Sequence, residues 1–221
     1  MTKLDVRTRI EEIGVLPAIR VHSEDDAIFA AETVYRAGIT LAEVTMTVPG
    51  GIEVISKLAH SLPDMVVGAG TVLNVETAKR CLGAGAKFLT SPGLVMKVLE
   101  FALKHDVVVF PGALTPSEVI AAWDAGADFV KVFPCASVGG AHYIKALKEP
   151  LPQVPLIASG GVNQNTTAGF INAGATAVGV GSELIPSEAL EARHENQIFE
   201  LARRFLAMVK DARADKAGRQ K

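Results

Sequence analysis

Short apolar runs alternate along the chain with longer stretches in which apolar positions recur every three or four residues. The runs fall at 15–20, 41–46, 65–68, 87–90, 107–110, 128–133, 156–159 and 177–180. Each is rich in Val, Ile, Leu, Phe or Ala and short enough to predict a strand. The stretches between them predict helices, with Ser23-Glu24, Thr115-Pro116 and Asn163 among the starts. Four helical stretches close on the same pair: Ala37-Gly38, Ala84-Gly85, Ala125-Gly126 and Ala173-Gly174. Glycine suits a helix that ends in a left-handed residue before the chain turns into a strand. Helix, glycine, strand, repeated, is the rhythm of βα units feeding a parallel sheet.

Eight such units in 221 residues, with no linker or break in composition, predict an α/β fold, a (β/α)8 TIM barrel, as one domain over 1–221. A doubly wound open sheet is the alternative, but it needs no such even count. Residues 210–221 are polar and charged and read as a frayed helix end. Hydrophobic residues make up 49% of the chain, enough for a large core. A formal charge of -2 offers no broad basic field, which argues against nucleic acid as a partner. No run is long enough to span a membrane, and the opening MTKLDVRTRIEEIG is charged rather than signal-like. Cys81 and Cys135 lie far apart in no metal or redox spacing, which fits a cytoplasmic protein with reduced thiols.

In such a barrel the chemistry sits at the C-terminal ends of the strands. There the sixth run, DFVKVFP, holds Lys131 among apolar neighbours. Phe129, Lys131 and Phe133 share one parity, and if that set faces the axis, Lys131 enters an enclosed apolar site. Burial disfavours an ammonium and can lower the pKa of a buried lysine by up to ~3–5 units. A neutral amine is what attack on a ketone requires. The bland alternative is an outward lysine that snorkels or pairs structurally. Glu43, in the second run, is again an acid inside an apolar stretch. Second and sixth strands share inward layers, so Glu43 and Lys131 are expected to converge as proton carrier and nucleophile. A purely structural ion pair is the competing reading.

The loops after the last two strands, SGGV (Ser159, Gly160, Gly161) and GVGSEL (Gly181, Ser182), offer backbone N–H groups and hydroxyls suited to phosphate. Arg20 ends the first strand and Thr71 the GAGT loop. With Thr45 and Thr47 they are candidates to clamp a small carboxylate, Arg20 by a bidentate pairing. The five histidines show no ligand spacing, so no metal site is expected, and Cys135 reads as a packed small residue.

Taken in order, AEVTMTVP, VVGAGTVLN, TSPG, FPGALTPSE, FVKVFP, YIKALKEPLP, SGGV and VGVGSEL resemble the class I 2-keto-3-deoxy-6-phosphogluconate (KDPG) aldolases and their 4-hydroxy-2-oxoglutarate-cleaving relatives, from about 10 to 210. The resemblance implies a Schiff-base lysine at Lys131 and a general acid/base at Glu43. It implies pyruvate-end contacts from Thr71, Pro92 and Phe133, and phosphate contacts from Ser159, Gly160, Gly161 and Ser182. The implied substrates are a phosphorylated 2-keto-3-deoxy sugar acid and pyruvate, in a cytoplasmic homotrimer with no metal and no cofactor. In one place the chain departs: many members carry an arginine where EVTMT has Thr47. Arg20 is then expected to supply the clamp from the neighbouring strand. Cleavage of the 6-phosphogalactonate epimer or of 4-hydroxy-2-oxoglutarate is the near alternative. A phosphosugar isomerase or epimerase, or a non-catalytic phosphosugar-binding barrel, is the distant one.

Overall fold

Every predicted run forms a strand in the computed structural model, which describes residues 1–219. The strands are β1 (Val15–Ile19), β2 (Leu41–Thr45), β3 (Val66–Gly70), β4 (Phe88–Thr90) and β5 (Val108–Phe110), then β6 (Gly112–Ala113), β7 (Val130–Val132), β8 (Leu156–Ser159) and β9 (Ala177–Val180). All pairings are parallel, in the order β5-β4-β3-β2-β1-β9-β8-β7-β6. The extra strand has a simple cause. β5 and β6 are two halves of one barrel strand, divided at Pro111, which has no N–H to give to a ladder. Across this seam the Asp128 N–H donates to the Val109 carbonyl at 3.0 Å and the Lys131 N–H to that of Pro111 at 2.9 Å. The two ends of the sheet therefore meet, and the eight-unit barrel expected from the sequence is the fold.

Helices follow the strands: α2 (Glu24–Arg36), α3 (Gly51–Ser61), α4 (Val75–Gly83), α5 (Met96–Lys104), α6 (Pro116–Asp124), α7 (Ala141–Lys148), α8 (Thr167–Asn172), α9 (Ser187–Glu191) and α10 (Glu195–Arg219). Ser23 caps α2 by accepting from the Asp26 N–H. Thr115 caps α6 through a capping box with Glu118, and Pro116 opens the helix. Asn163 does not start α8. Its side chain accepts from the Asn165 and Thr166 N–H groups and holds a turn, so the helix begins at Thr167. The second residue of each Ala-Gly pair has φ between 96° and 110°, which a Cβ would penalise.

One further helix, α1 (Lys3–Ile13), precedes the barrel and covers the end where the strands begin, touching β1, β2, β5 and β9. Its Arg7 guanidinium lies 5.6 Å from the Phe129 ring centroid. Phe129, Phe110 and Phe88 make a stack of neighbouring rings, at 6.1 and 5.2 Å between centroids, all fully buried. A Cβ on Gly68 would overlap the Phe88 ring, so the glycine in β3 makes room for it. These rings form an apolar floor, and the opposite end stays free for chemistry.

The segment read as a frayed tail is helical as far as Arg219, and Gln220 and Lys221 lie outside the described residues. What holds it is Arg213, whose guanidinium donates to the carbonyls of Glu12, Glu11 and Thr176 at 2.7, 2.7 and 2.9 Å. Ala212 beside it is buried. Among the described residues no helix is long and apolar enough to cross a membrane. Replacing Arg213 by Ala leaves those carbonyls without their charged donor. The expected cost is about 2–3 kcal/mol, read as a melting temperature lower by ~4–10 °C; an unchanged melt would show that α10 is held by its apolar face alone.

Candidate active site

Lys131 and Glu43 meet inside the barrel. The Lys131 Nζ lies 3.3 Å from Glu43 Oε2 and 3.4 Å from Oε1, with side chains only 10% and 2% exposed. The meeting follows from register. Glu43 pairs with Ala18 and Gly68 on its neighbours, and Lys131 with Gly112 and Ile157, so both point to the axis at the same end. The carboxyl group fits because Gly70 in β3 has no side chain, and a Cβ there would overlap Oε1. Taking two charges out of water is expensive unless they face one another, and here they do. At this separation a proton needs little motion to pass from one group to the other.

The pair opens on a cavity of about 370 Å³. On one side stand Arg20, Thr71 and Pro92. The Phe133 ring centroid is 6.0 Å from Nζ and 36% of the residue is exposed, so it forms an apolar wall beside the amine. Arg20 leaves the end of β1, crosses the end of β2 and donates to the Thr71 hydroxyl at 3.5 Å. Thr71 has φ +60°, a conformation in which a β-branched residue is strained by about 1–3 kcal/mol. Thr47 does not join the site. It is exposed and outside the cavity lining, its hydroxyl bonded to that of Thr45 at 2.8 Å, while Thr45 donates to the Ile19 carbonyl at 3.0 Å. These two threonines brace the end of β1, from which Arg20 departs.

The opposite side is built from the loops after β8 and β9: Ser159, Gly160 and Gly161, then Gly181 and Ser182. Gly179 in β9 leaves room for the Ser159 hydroxyl, since a Cβ there would stand 2.9 Å from Oγ. The loop after β7 is fastened to the one after β8. The Cys135 N–H donates to the Ser159 carbonyl at 2.8 Å and the Ala136 N–H to that of Gly160 at 3.0 Å. Gly161 faces Ala136 so closely that a Cβ would overlap it. Cys135 is buried, and burial pushes its thiol up to about 11, which removes it as a rival nucleophile near neutral pH. All five histidines are exposed and none lines the cavity.

Every candidate except Thr45 and Thr47 thus lines one cavity. Asn163, Val162, Ala18 and Glu183 also line it and went unnoticed as site residues, as did Gly70, which shapes it. A signal for Gly70 was present. Two glycines of one parity in a short strand, Gly68 and Gly70, mark a close approach of other groups.

The family described as "Aldolase: KDPG and KHG aldolase" matches residues 6–201. The 2-dehydro-3-deoxy-phosphogluconate aldolase of Treponema pallidum is 30% identical over 200 residues, 90% of this chain and 95% of its own. The KHG/KDPG aldolase of Escherichia coli K12 is 32% identical over 189 residues, 86% and 89% of the two chains. Among solved structures, a KDPG aldolase from Legionella pneumophila, with pyruvate captured as a covalent carbinolamine, superposes with a TM-score of 0.83. It is 31% identical, with 90% of this chain and 96% of that one covered. A 3-hexulose-6-phosphate synthase from Salmonella typhimurium, 16% identical with a TM-score of 0.74, shares the fold.

Substituting Gly70 by Ala displaces the Glu43 carboxyl while removing no polar group. Misplacement on the 1 Å scale is expected to lower turnover by ~100-fold, with the folded state retained in circular dichroism. A folded variant turning over at the parental rate would show that the site tolerates Glu43 elsewhere.

Proposed function

The chain belongs to the KDPG and KHG aldolase family of carbon–carbon lyases, and from that premise we propose that it cleaves 2-keto-3-deoxy-6-phosphogluconate to pyruvate and glyceraldehyde 3-phosphate through an imine on Lys131. The neutral Lys131 amine attacks the C2 ketone. The carbinolamine loses water with a proton supplied by Glu43, and the product is an iminium. Glu43, directly or through a water, then takes the proton of the C4 hydroxyl as the C3–C4 bond breaks. The electron pair of that bond flows into the iminium and leaves an enamine, while glyceraldehyde 3-phosphate departs. Protonation at C3 and hydrolysis return the water, release pyruvate and free the lysine.

The observation that carries this reading is the buried Lys131–Glu43 pair opening on a cavity whose two walls differ in chemistry. Arg20 and Thr71 receive the carboxylate, with Pro92 and Phe133 packing on the pyruvyl carbons. Ser159, Gly160, Gly161, Gly181 and Ser182 receive the phosphate through N–H and hydroxyl groups. A KHG/KDPG relative supports 4-hydroxy-2-oxoglutarate as a second substrate. The same reading takes the protein as a cytoplasmic homotrimer, in keeping with the family.

Borohydride added in the presence of pyruvate is expected to leave a reduced pyruvyl adduct on Lys131, seen by intact mass and peptide mapping. A Lys131→Arg variant should give none and lose ~10³-fold or more in turnover. An isomerase, epimerase or binding protein would form no adduct, so its absence from folded enzyme ends the lyase reading. Arg20→Ala is expected to weaken pyruvate binding ~10- to 100-fold, from a lost charge-assisted pair, while glyceraldehyde 3-phosphate binding changes little. Equal losses at both ends would remove Arg20 from the clamp.

A further inference from the structure

The charges that line the cavity are unevenly placed. Lys131 and Glu43 face each other, and Arg20 leans across β2 to Thr71 on β3. That lean carries the guanidinium away from β9, the other neighbour of β1. At the β8–β9 wall, the described lining residues include no lysine, arginine or histidine. What stands there is Ser159, Ser182, Asn163, the glycine N–H groups and one carboxylate, Glu183.

Glu183 is held at the mouth by its own turn. The Leu184 and Ile185 N–H groups both donate to the Gly181 carbonyl at 3.0 Å, and the Leu184 and Ile185 side chains are buried. Ser182 and Glu183 are the exposed residues of the turn. Among the described residues Glu183 takes part in no ion pair, so no cation cancels its charge. A carboxylate accepts hydrogen bonds from hydroxyls and repels a phosphate dianion a few ångströms away.

We infer that Glu183 is a specificity-determining residue. It accepts from the distal hydroxyls of a 2-keto-3-deoxy sugar acid and opposes the phosphate dianion, so the enzyme cleaves unphosphorylated 2-keto-3-deoxy acids alongside phosphorylated ones. This rests on the lyase reading and adds the charge preference of its distal subsite. The Lys131 end of the reaction is the same for both substrates; the two differ in what the β8–β9 wall must hold.

The test compares kcat/KM for 2-keto-3-deoxy-6-phosphogluconate and 2-keto-3-deoxygluconate in the wild type and in Glu183→Gln, which keeps the shape and removes the charge. Wild-type enzyme is expected to turn over both. The variant should gain ~5- to 10-fold on the phosphorylated substrate, the scale of one unscreened charge near a surface, through KM with kcat held. On the unphosphorylated substrate it should lose efficiency. Inorganic phosphate should inhibit the variant at correspondingly lower concentration. A ratio of the two efficiencies that moves less than twofold, or moves toward the unphosphorylated substrate, overturns the role of Glu183. Pyruvate trapping on wild-type Lys131 tests the lyase separately: an unmoved ratio in enzyme that traps pyruvate removes the inference and leaves the lyase standing.

Discussion

A lysine and a glutamate buried together in an apolar barrel are the constraint around which this molecule is arranged. Each charge alone would cost several kcal/mol to bury. Together, at 3.3 Å, they offset much of that cost only if both are delivered to one spot by strands that are not sequence neighbours. The parallel register of β2 and β7 does this, and each further feature of the interior serves it. The Phe88, Phe110 and Phe129 rings fill the lumen below, Gly70 clears space for the carboxyl group, and α1 closes the far end. An ion pair placed for stability alone would be sealed on every side. This one is open on the side of the cavity.

The cavity in turn is polarised by its scaffold. Four strand ends, β1 to β4, supply one side, and side chains at the first three are linked: Thr45 to the Ile19 carbonyl, Thr47 to Thr45, Arg20 to Thr71. On the other side the loops after β7 and β8 are joined by backbone hydrogen bonds, so Phe133 and the Ser159–Gly161 segment are positioned as one piece. Under the proposed reaction, the carboxylate and phosphate ends of the substrate would meet separately built groups of residues, with the Lys131 amine between them.

Much of this is legible in the chain. Eight apolar runs and four Ala-Gly pairs suffice for the barrel, because each pair marks a helix end that only a left-handed residue can make. Lys131 and Glu43 stand out because a charge in an apolar strand has no cheap explanation. What escapes the sequence depends on approach between distant segments. The division of β5 and β6 at Pro111, the clearance at Gly70 and the anchoring of α10 by Arg213 are facts about neighbours far apart in the chain. Thr47 was misplaced for a related reason: position in the strand-two motif suggests the cavity, but its hydroxyl turns to Thr45. Glu183 escaped because, in a glycine-rich loop, attention goes to the groups that bind an anion rather than the one that repels it.

Thr71 carries a consequence of its own. A β-branched residue held at positive φ is a small debit against the native state, sustained by the well-packed strands on either side. Glycine at this position would relieve it and lose the hydroxyl that meets Arg20. Among descendants of this sequence evolving under heat, with growth no longer dependent on the sugar acid, position 71 is where drift toward glycine would record the loss of selection on the cavity before anything in the barrel core had changed.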